Sequence, residues 1–256
     1  MINHFNYPLA QNVVICGDVH GDFEELVTKL CDETGMEDTL LVVAGDCGFG
    51  FEKPEYYGLL YKAFNRKLSR SRNWIAMVRG NHDDPSYFER QTISHKRFRC
   101  VPDYSVITAA GRSILCVGGA VSVDRRYRKV YESYWPDEVP FLDREQLAEI
   151  GRAFSIDTVV AHTAPSFCEP VTKAGIAGWI EEDPDLIDDC NRERRVMNGV
   201  LEVLKEAGLP LKDWCYGHYH RSWRSNIDGV LYTMLDILEF KELSLFFKSL
   251  NKKKLT

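Results

Sequence analysis

Short apolar runs alternate along the first 80 residues with longer segments whose apolar side chains recur at helical spacing. The runs are NVVICG, TLLVVAG and NWIAMVRG, and the segments between them are DFEELVTKLCDE and EYYGLLYKAFNRKLSR. Short apolar runs alternating with segments of period 3.6 are typical of α/β domains. This half of the chain therefore predicts an α/β domain built from strand–helix units.

Beyond residue 100 the pattern changes to include hairpins. YSVITAAGRSILCVGG predicts two antiparallel strands around an Ala-Gly turn, and SWRSNIDGVLYTML predicts a hairpin around Asp228-Gly229. Between them, TVVAH and DWCYGH predict strands, whereas DREQLAEIGRAF and CNRERRVMNGVLEVLKEAG predict helices, the second closed by Gly208. A mixed sheet is therefore expected.

Composition is that of an ordinary globular protein. The chain has 256 residues, of which 45% are hydrophobic and 27% charged, and its formal net charge is −6. This length is at the upper end of what one hydrophobic core supports, so we expect one domain over residues 1–256. The acidic balance argues against a protein whose main task is to coat nucleic acid.

The remaining composition favours a cytoplasmic chain. Its eight cysteines are scattered without a C-x-x-C pair, so we expect them to be reduced. The N-terminus lacks the pattern of a signal peptide, and no window reaches the roughly 18 apolar residues of a membrane span. No membrane partner is expected, and Lys252–Lys254 predict a solvated tail.

Five predicted strands end in residues that commonly bind metals. In open α/β sheets the carboxyl ends of neighbouring strands lie side by side, so distant residues can converge on one crevice. A glycine beside several of these residues would let the backbone approach closely. The strand ends carry Asp18 and His20; Asp46; Asn81, His82 and Asp83; His162; and His218 and His220.

Each of these residues alone has an ordinary explanation. A single histidine is most often a hydrogen-bonded core or surface residue, which is our interpretation of His4 and His95. Asp18 and Asp46 could each cap a helix that follows its loop. Capping does not explain why five of the seven histidines fall at strand ends, so the whole set favours a metal centre.

The motifs GDVHG, GD, GNHD, AH and GHYH occur in this order between residues 16 and 220. Each is weak alone, but the ordered set resembles the calcineurin-like metallophosphoesterases. The resemblance implies a four-layer α/β/β/α sandwich with two mixed β-sheets. It also implies one metal held by Asp18, His20 and His220, a second held by Asn81, His162 and His218, Asp46 as the bridge, and His82 and Asp83 just outside the metals.

The chemistry of such a centre follows from its ligands. Two divalent ions roughly 3.5–4 Å apart can share a hydroxide and stabilise an in-line displacement at phosphorus. Mixed nitrogen and oxygen ligands suit Mn, Fe or Zn, among which we favour Mn. No covalent intermediate is expected. His82 is predicted to protonate the leaving oxygen, and Asp83 to orient its imidazole.

The chain departs from the family's phosphatases in the segment GDCGFGF, which lacks the arginine that normally grips substrate phosphate. Arg79 in VRGNHD still resembles the phosphatase pattern. The loop GGAVSVDRRYRKVYESYWPDE brings further arginines close behind a strand end, and Arg125 and Arg126 are our candidates for substrate binding. A solvated basic face is the alternative interpretation of this loop.

The predicted function is metal-dependent hydrolysis of a phosphomonoester. A phosphodiesterase or nuclease would use the same metals but needs an open basic and aromatic groove, to which Trp135, Trp179 and Trp223 could contribute. A non-catalytic descendant should have lost a ligand, and none is missing. A structural zinc site would use only four ligands. The expected partner is a phosphorylated substrate of unknown identity, and nucleic acid is disfavoured.

Overall fold

The computed structural model describes residues 2–244; the predicted tail Lys252–Lys254 lies outside this range. Thirteen strands in this range form two sheets. The seven-stranded sheet has the order β1 (His4–Tyr7), β7 (Ser105–Ala109), β8 (Arg112–Val117), β9 (Thr158–Ala161), β10 (Asp213–Tyr216), β12 (Val230–Met234) and β11 (Trp223–Ile227). The six-stranded sheet has the order β13 (Phe240–Glu242), β2 (Asn12–Cys16), β3 (Thr39–Val43), β4 (Trp74–Met77), β6 (Phe98–Cys100) and β5 (Ser94–His95).

Six α-helices connect these strands, and local signals mark several of their ends. Asp22 and Asp143 cap two helices by accepting hydrogen bonds from backbone N–H groups three residues later, and Pro54 occupies the first position of another. Gly208 follows the last helix with a φ of +64°. The helices are α1 (Phe23–Thr28), α2 (Pro54–Arg70), α3 (Ser86–Glu89), α4 (Arg144–Ala153), α5 (Ala177–Glu182) and α6 (Leu186–Glu206).

The two sheets pack face to face with helices on both outer surfaces. One apolar core between the sheets joins side chains such as Ile15 and Val42 to Ile114 and Val160. A second core packs α1, α2 and α3 on the six-stranded sheet, and a third packs α4 and α6 on the seven-stranded sheet. The predicted α/β/β/α sandwich with two mixed sheets is confirmed.

Strand direction brings the predicted site residues to one edge. The neighbours β2, β3 and β4 are parallel in one sheet, as are β8, β9, β10 and β12 in the other. Both predicted hairpins are present, as β7–β8 and β11–β12. The last helix begins at Leu186, four residues before the predicted start at Cys190.

Two general features agree with the sequence. All eight cysteines lie within residues 2–244 and are free thiols. Among the helices in that range, none combines the length and apolar character that crossing a bilayer requires.

Candidate metal centre

Seven predicted ligands from five strand ends converge at the carboxyl edge of both sheets. Donor atoms of six of these residues form two clusters, within each of which all atoms lie within 4.8 Å of one another, and the seventh residue, Asn81, contacts His162. Nε2 of His20 lies 2.9 Å from Nε2 of His220, and Nε2 of His162 lies 3.0 Å from Oδ1 of Asn81. One cluster contains Asp18, His20, Asp46 and His220, and the other contains Asp46, His162 and His218.

Three glycines permit this convergence. A Cβ on Gly45 would lie 2.2 Å from the His162 ring, and a Cβ on Gly80 or Gly217 would lie 2.0 Å from a carboxylate oxygen of Asp46 or Asp18. Any side chain at these positions would displace a ligand. The glycines beside the ligands therefore serve close approach, as their positions in the sequence predicted.

Four ligand residues adopt left-handed backbone conformations. The φ angles are +50° at His20, +47° at Asp46, +71° at His218 and +49° at His220. Non-glycine residues in this region cost free energy, and such strain concentrates at functional sites. The free-energy cost of these four backbone conformations is thus associated with the convergence of the four side chains.

The hydrogen bonds of two ligands leave their donor atoms facing the clusters. Nδ1 of His162 donates to the carbonyl oxygen of Ala44 at 2.8 Å, which directs Nε2 inward. Nδ2 of Asn81 donates to Oγ of Ser122 at 2.9 Å, so its oxygen is the inward atom. Carboxylate, imidazole and amide donors in this arrangement fit two divalent transition metals, consistent with the predicted ligand set.

The electrostatics of the clusters also favour cation binding. Burial opposes ionisation of Asp18, but its hydrogen bonds with His20 and His220 outweigh burial and lower the pKa of the carboxyl to about 2. Burial likewise opposes charge on Asp46, yet the surrounding histidines hold its pKa well below the usual range. Both carboxylates are therefore ionised at neutral pH and available to a metal.

The two histidines of the second cluster differ in protonation. Burial disfavours a charged His162, but Asp46 outweighs burial and raises its pKa to about 10. Burial, together with the neighbouring His162, lowers the pKa of His218 to about 3. The raised pKa of His162 favours the protonated ring beside Asp46, and a cation bound at Nε2 would have to displace that proton.

Comparison with known proteins decides the family. The model of the calcineurin-like phosphoesterases matches residues 11–222. The chain belongs to the calcineurin-like phosphoesterase family. With its two potential metal-binding clusters, it is a metal-dependent phosphoesterase.

Solved structures share the fold at low identity. One crystal structure is similar with a TM-score of 0.52 and 12% identity, over 92% of this chain and 99% of that chain. A dimetal phosphatase from Danio rerio has a TM-score of 0.49 and 14% identity, over 90% of this chain and 88% of that chain. The first likeness shows a shared fold over nearly the whole of both chains.

His82 lies at the open side of the metal centre. Its backbone N–H donates to Oδ1 of Asp46 at 2.8 Å, and its Nε2 lies 3.8 Å from Oδ2 of the same carboxylate. The guanidinium of Arg128 donates to that Nε2 at 2.8 Å. Burial and then Arg128, against the opposing charge of Asp46, lower the pKa of His82. The ring is 24% exposed, so a substrate can reach it.

Asp83 does not orient His82, contrary to the sequence prediction. Its carboxylate is fully buried and accepts backbone N–H bonds from Cys47, Gly48, Phe49 and Gly80 at 2.7–3.0 Å. No hydrogen bond joins it to the His82 ring within residues 2–244. Burial, then the charge of Asp46, raise the pKa of Asp83 to about 6. Asp83 instead holds the loop that carries Asp46.

Asp83→Asn is therefore expected to destabilise the protein rather than act on the chemical step. An amide retains one acceptor oxygen and leaves about two buried N–H groups unpaired, at roughly 1–3 kcal/mol each. We expect the free energy of unfolding, measured by urea denaturation, to fall by about 2–6 kcal/mol. A normal unfolding free energy combined with a large fall in kcat would restore the predicted role beside His82.

Arg79 is buried and paired within the protein, whereas the sequence predicted a side chain open to substrate. The side chain is buried and pairs with Asp103, with Nε to Oδ2 at 2.9 Å. Its terminal nitrogens donate to the carbonyl oxygens of Glu138 and Val139 at 2.6 and 3.1 Å. This arginine joins the loop after β4 to the segment around residue 138, behind the metal centre.

Arg125 and Arg126 are also directed away from the metal centre. Arg125 bonds the carboxylates of Asp183 and Asp189 at 2.7 Å each, and Arg126 approaches Asp183 at 3.6 Å with 54% of its side chain exposed. Neither lines the cavity beside the metal ligands, whereas Arg128 of the same loop does. The contacts of Arg125 and Arg126 therefore do not match the predicted substrate-binding role, and Arg128 is the arginine of this loop that lines the cavity.

Buried acids outside the motifs support the ligand loops. Glu193 of α6 accepts from the backbone N–H of Val121 at 2.7 Å and from Oγ1 of Thr163, next to His162, at 2.5 Å. Its spacing from Cys190 and Met197 puts it on the buried face of α6, which is the signal that could have revealed it. Ser122, the partner of Asn81, donates in turn to the carboxylate of Glu138. Glu138 lies in a loop, so no periodic sequence pattern could have revealed this contact.

Proposed function

We propose that this phosphoesterase is a binuclear phosphatase that hydrolyses phosphomonoesters. The observation that carries the proposal is the pair of ligand clusters that share Asp46. Asp18, His20 and His220 would hold one ion, Asn81, His162 and His218 the other, and Asp46 both. When bound, the ions would supply Lewis acidity and a water that is deprotonated near neutral pH. Mn is the ion we favour for this mixed donor set.

His82 is proposed as the general acid. It lies beside the ligand Asn81, faces the open side of the centre and is partly exposed. A bound phosphoryl group brings negative charge near the ring, which offsets the charge of Arg128 and favours the protonated imidazole. Nε2 accepts from Arg128 in this structure, so the proposal requires Arg128 to turn to the phosphoryl oxygens and Nε2 to take up a proton from solvent. That proton would pass to the leaving oxygen as the phosphorus–oxygen bond breaks.

Arg128 is proposed to bind the phosphoryl oxygens. Its Nη2 reaches His82, and its Nε is held by Asp124 at 2.8 Å, which aims the guanidinium at the centre. A monoester has more unshared oxygens than two metals satisfy, and a guanidinium provides parallel donors for them. This residue supplies the cation that GDCGFGF lacks, and it favours monoesters over diesters.

The surroundings provide little for a nucleic-acid strand. Of the three tryptophans considered for a nuclease groove, Trp135 is 6% exposed and Trp223 lies on β11, while only Trp179 lines the cavity beside the metal ligands. A stacking groove requires several aromatic side chains along one path. Phosphodiester hydrolysis is therefore retained only as an outcome of the substrate test.

The proposal is tested by metal removal. Protein dialysed against a chelator should lose turnover of 4-nitrophenyl phosphate, and stoichiometric addition of Mn should restore it with two ions bound per chain. Binding is read by mass spectrometry of the metals and activity by nitrophenolate release. Full turnover by metal-stripped protein would contradict the proposal, and faster hydrolysis of bis(4-nitrophenyl) phosphate than of the monoester would assign a phosphodiesterase instead.

Arg128→Ala is expected to reduce kcat/KM for 4-nitrophenyl phosphate by about 10–100-fold, which corresponds to the loss of one charge-assisted hydrogen bond of about 1.5–3 kcal/mol. The loss for the bis-ester should be smaller, since it presents one negative charge. Arg125→Ala is the matched control, because its ion pairs face Asp183 and Asp189. Equal losses for Arg125→Ala and Arg128→Ala would remove the phosphate-binding role.

A further inference from the structure

A cavity of about 470 Å³ opens beside the metal centre, next to Asn81, His82, His218 and His220. Pockets of roughly 300–1,000 Å³ enclose organic ligands of drug size. A phosphoryl group held at the metals and Arg128 would leave most of this space to the organic part of the substrate. The residues that line the cavity therefore indicate the chemistry of that organic part.

One wall of the cavity is apolar. Val123, Pro170, Ile176 and Trp179 line it. Val123 and Ile176 pack on a buried cluster that includes Leu186, so this wall is formed in the free protein. Trp179 is 37% exposed and meets Tyr127 edge to face, with ring centroids 5.7 Å apart. A half-exposed indole fixed at its edge offers a flat surface to a planar ring.

The cavity also carries two cations that have no ion-pair partner within residues 2–244, namely Lys173 and Arg221. The other charges that line it are engaged. Asp124 pairs with Arg128, and Glu193 accepts from Val121 and Thr163. Arg194 donates to the hydroxyl of Tyr219 and to the carbonyl oxygens of Pro165 and Cys168. The uncompensated charge in the cavity is therefore positive, although the chain carries a net charge of −6.

We propose that the substrates of this site are phosphoesters of an alcohol with two features: a planar, apolar ring and a second anionic group. The ring lies against Trp179 and Ile176, and the second anion pairs with Lys173 and Arg221. This assignment rests on the proposed function, because the phosphoryl group must be held at the metals and Arg128. It concerns only the part of the substrate that leaves.

Three probes test the assignment with the Mn-loaded protein: phenyl phosphate, 2-naphthyl phosphate and 6-sulfonato-2-naphthyl phosphate. We expect KM to fall about 5–30-fold on adding the second ring, from its buried apolar area. It should fall a further 3–10-fold on adding the sulfonate, in line with two partly exposed ion pairs. The sulfonate step should shrink in high salt, whereas the ring step should not.

Two variants separate the contributions. Trp179→Ala should abolish most of the naphthyl preference over phenyl, and the double variant Lys173→Ala/Arg221→Ala should abolish the sulfonate preference. The matched controls lie on α2: Tyr56→Ala, at 40% exposure, and Lys62→Ala/Arg66→Ala, with the same charge change. Both controls should retain both preferences.

The outcomes distinguish this inference from the proposed function. Equal KM values for all three probes, each turned over with Mn, would overturn the substrate class and leave the phosphatase proposal standing. Preferences that persist in the cavity variants would overturn the assigned residues. Absence of turnover of every probe would overturn the phosphatase proposal, and this assignment with it.

Discussion

Asp46→Asn is expected to abolish phosphoesterase activity and metal binding together. Asp46 is 1% exposed and is the one residue common to both ligand clusters. The amide retains an oxygen that can accept the His82 N–H but replaces the second oxygen with a donor that repels a cation. Asparagine also tolerates the left-handed backbone, so the fold should survive.

The size of the effect follows from the number of interactions lost. Removing one group that stabilises transition-state charge costs about 10²–10³ in kcat. In the proposed two-ion centre both ions would lose a ligand, so we expect kcat/KM for 4-nitrophenyl phosphate to fall by about 10³-fold or more. Metal content after dialysis, measured by mass spectrometry, should fall in parallel.

Asp84→Asn is the matched control. It removes a carboxylate from the neighbouring segment, but Asp84 lies outside both clusters, and its oxygen only accepts the N–H of Ser86 at 2.9 Å. We expect this variant to keep both metals and nearly full turnover. An Asp46→Asn protein that still bound two ions with normal kcat would show that Asp46 is not the bridge.

His82→Ala is expected to retain both metals while lowering kcat by about 10²–10⁴-fold, the usual contribution of a general acid. The substitution leaves the backbone N–H that donates to Asp46, so the Asp46 carboxylate should keep its position. The loss should be largest for phenyl phosphate and smaller for 4-nitrophenyl phosphate, whose leaving group needs less protonation. Kinetics on both esters and metal analysis of the same sample provide the measurement.

Two observations check this assignment. Because Arg128 donates to the His82 ring, the rate losses of His82→Ala and Arg128→Ala should not add in the double variant. His95→Ala is the control, since that ring stacks on Tyr61 and lies outside both clusters. Loss of a metal from the His82→Ala protein, or equal rate losses for both leaving groups, would reject the general acid.

Much of the fold and the location of the site could be read from local pattern. Apolar runs such as Thr39–Val43 form buried strands because both faces of a central strand are covered. The Asp, Asn and His residues of the site follow these runs at their carboxyl ends. Because neighbouring strands are parallel, those ends lie at one edge of the sheet. The positions of all seven predicted ligands follow from these two local facts.

Other features depended on contacts between distant segments. The short edge strands β1, β5 and β13 have no strong pattern of their own and form by pairing with strands already in place. The division of the strands into two sheets likewise depends on which apolar faces meet across the molecule.

The roles of charged side chains were decided in the same way. Residues close in sequence, such as His82 and Asp83 or Arg125 and Arg128, look equivalent in sequence but have different surroundings in the structure. Asp83 is directed toward four backbone N–H groups and Arg125 toward two carboxylates of the loop before α6 and its first turn, whereas His82 and Arg128 face the cavity. The sequence by itself determined the central strands, the edge where they end and the donor atoms placed there. Only the tertiary structure decided which nearby charges serve that edge, because a buried charge is committed to whichever partners the fold brings within hydrogen-bond distance.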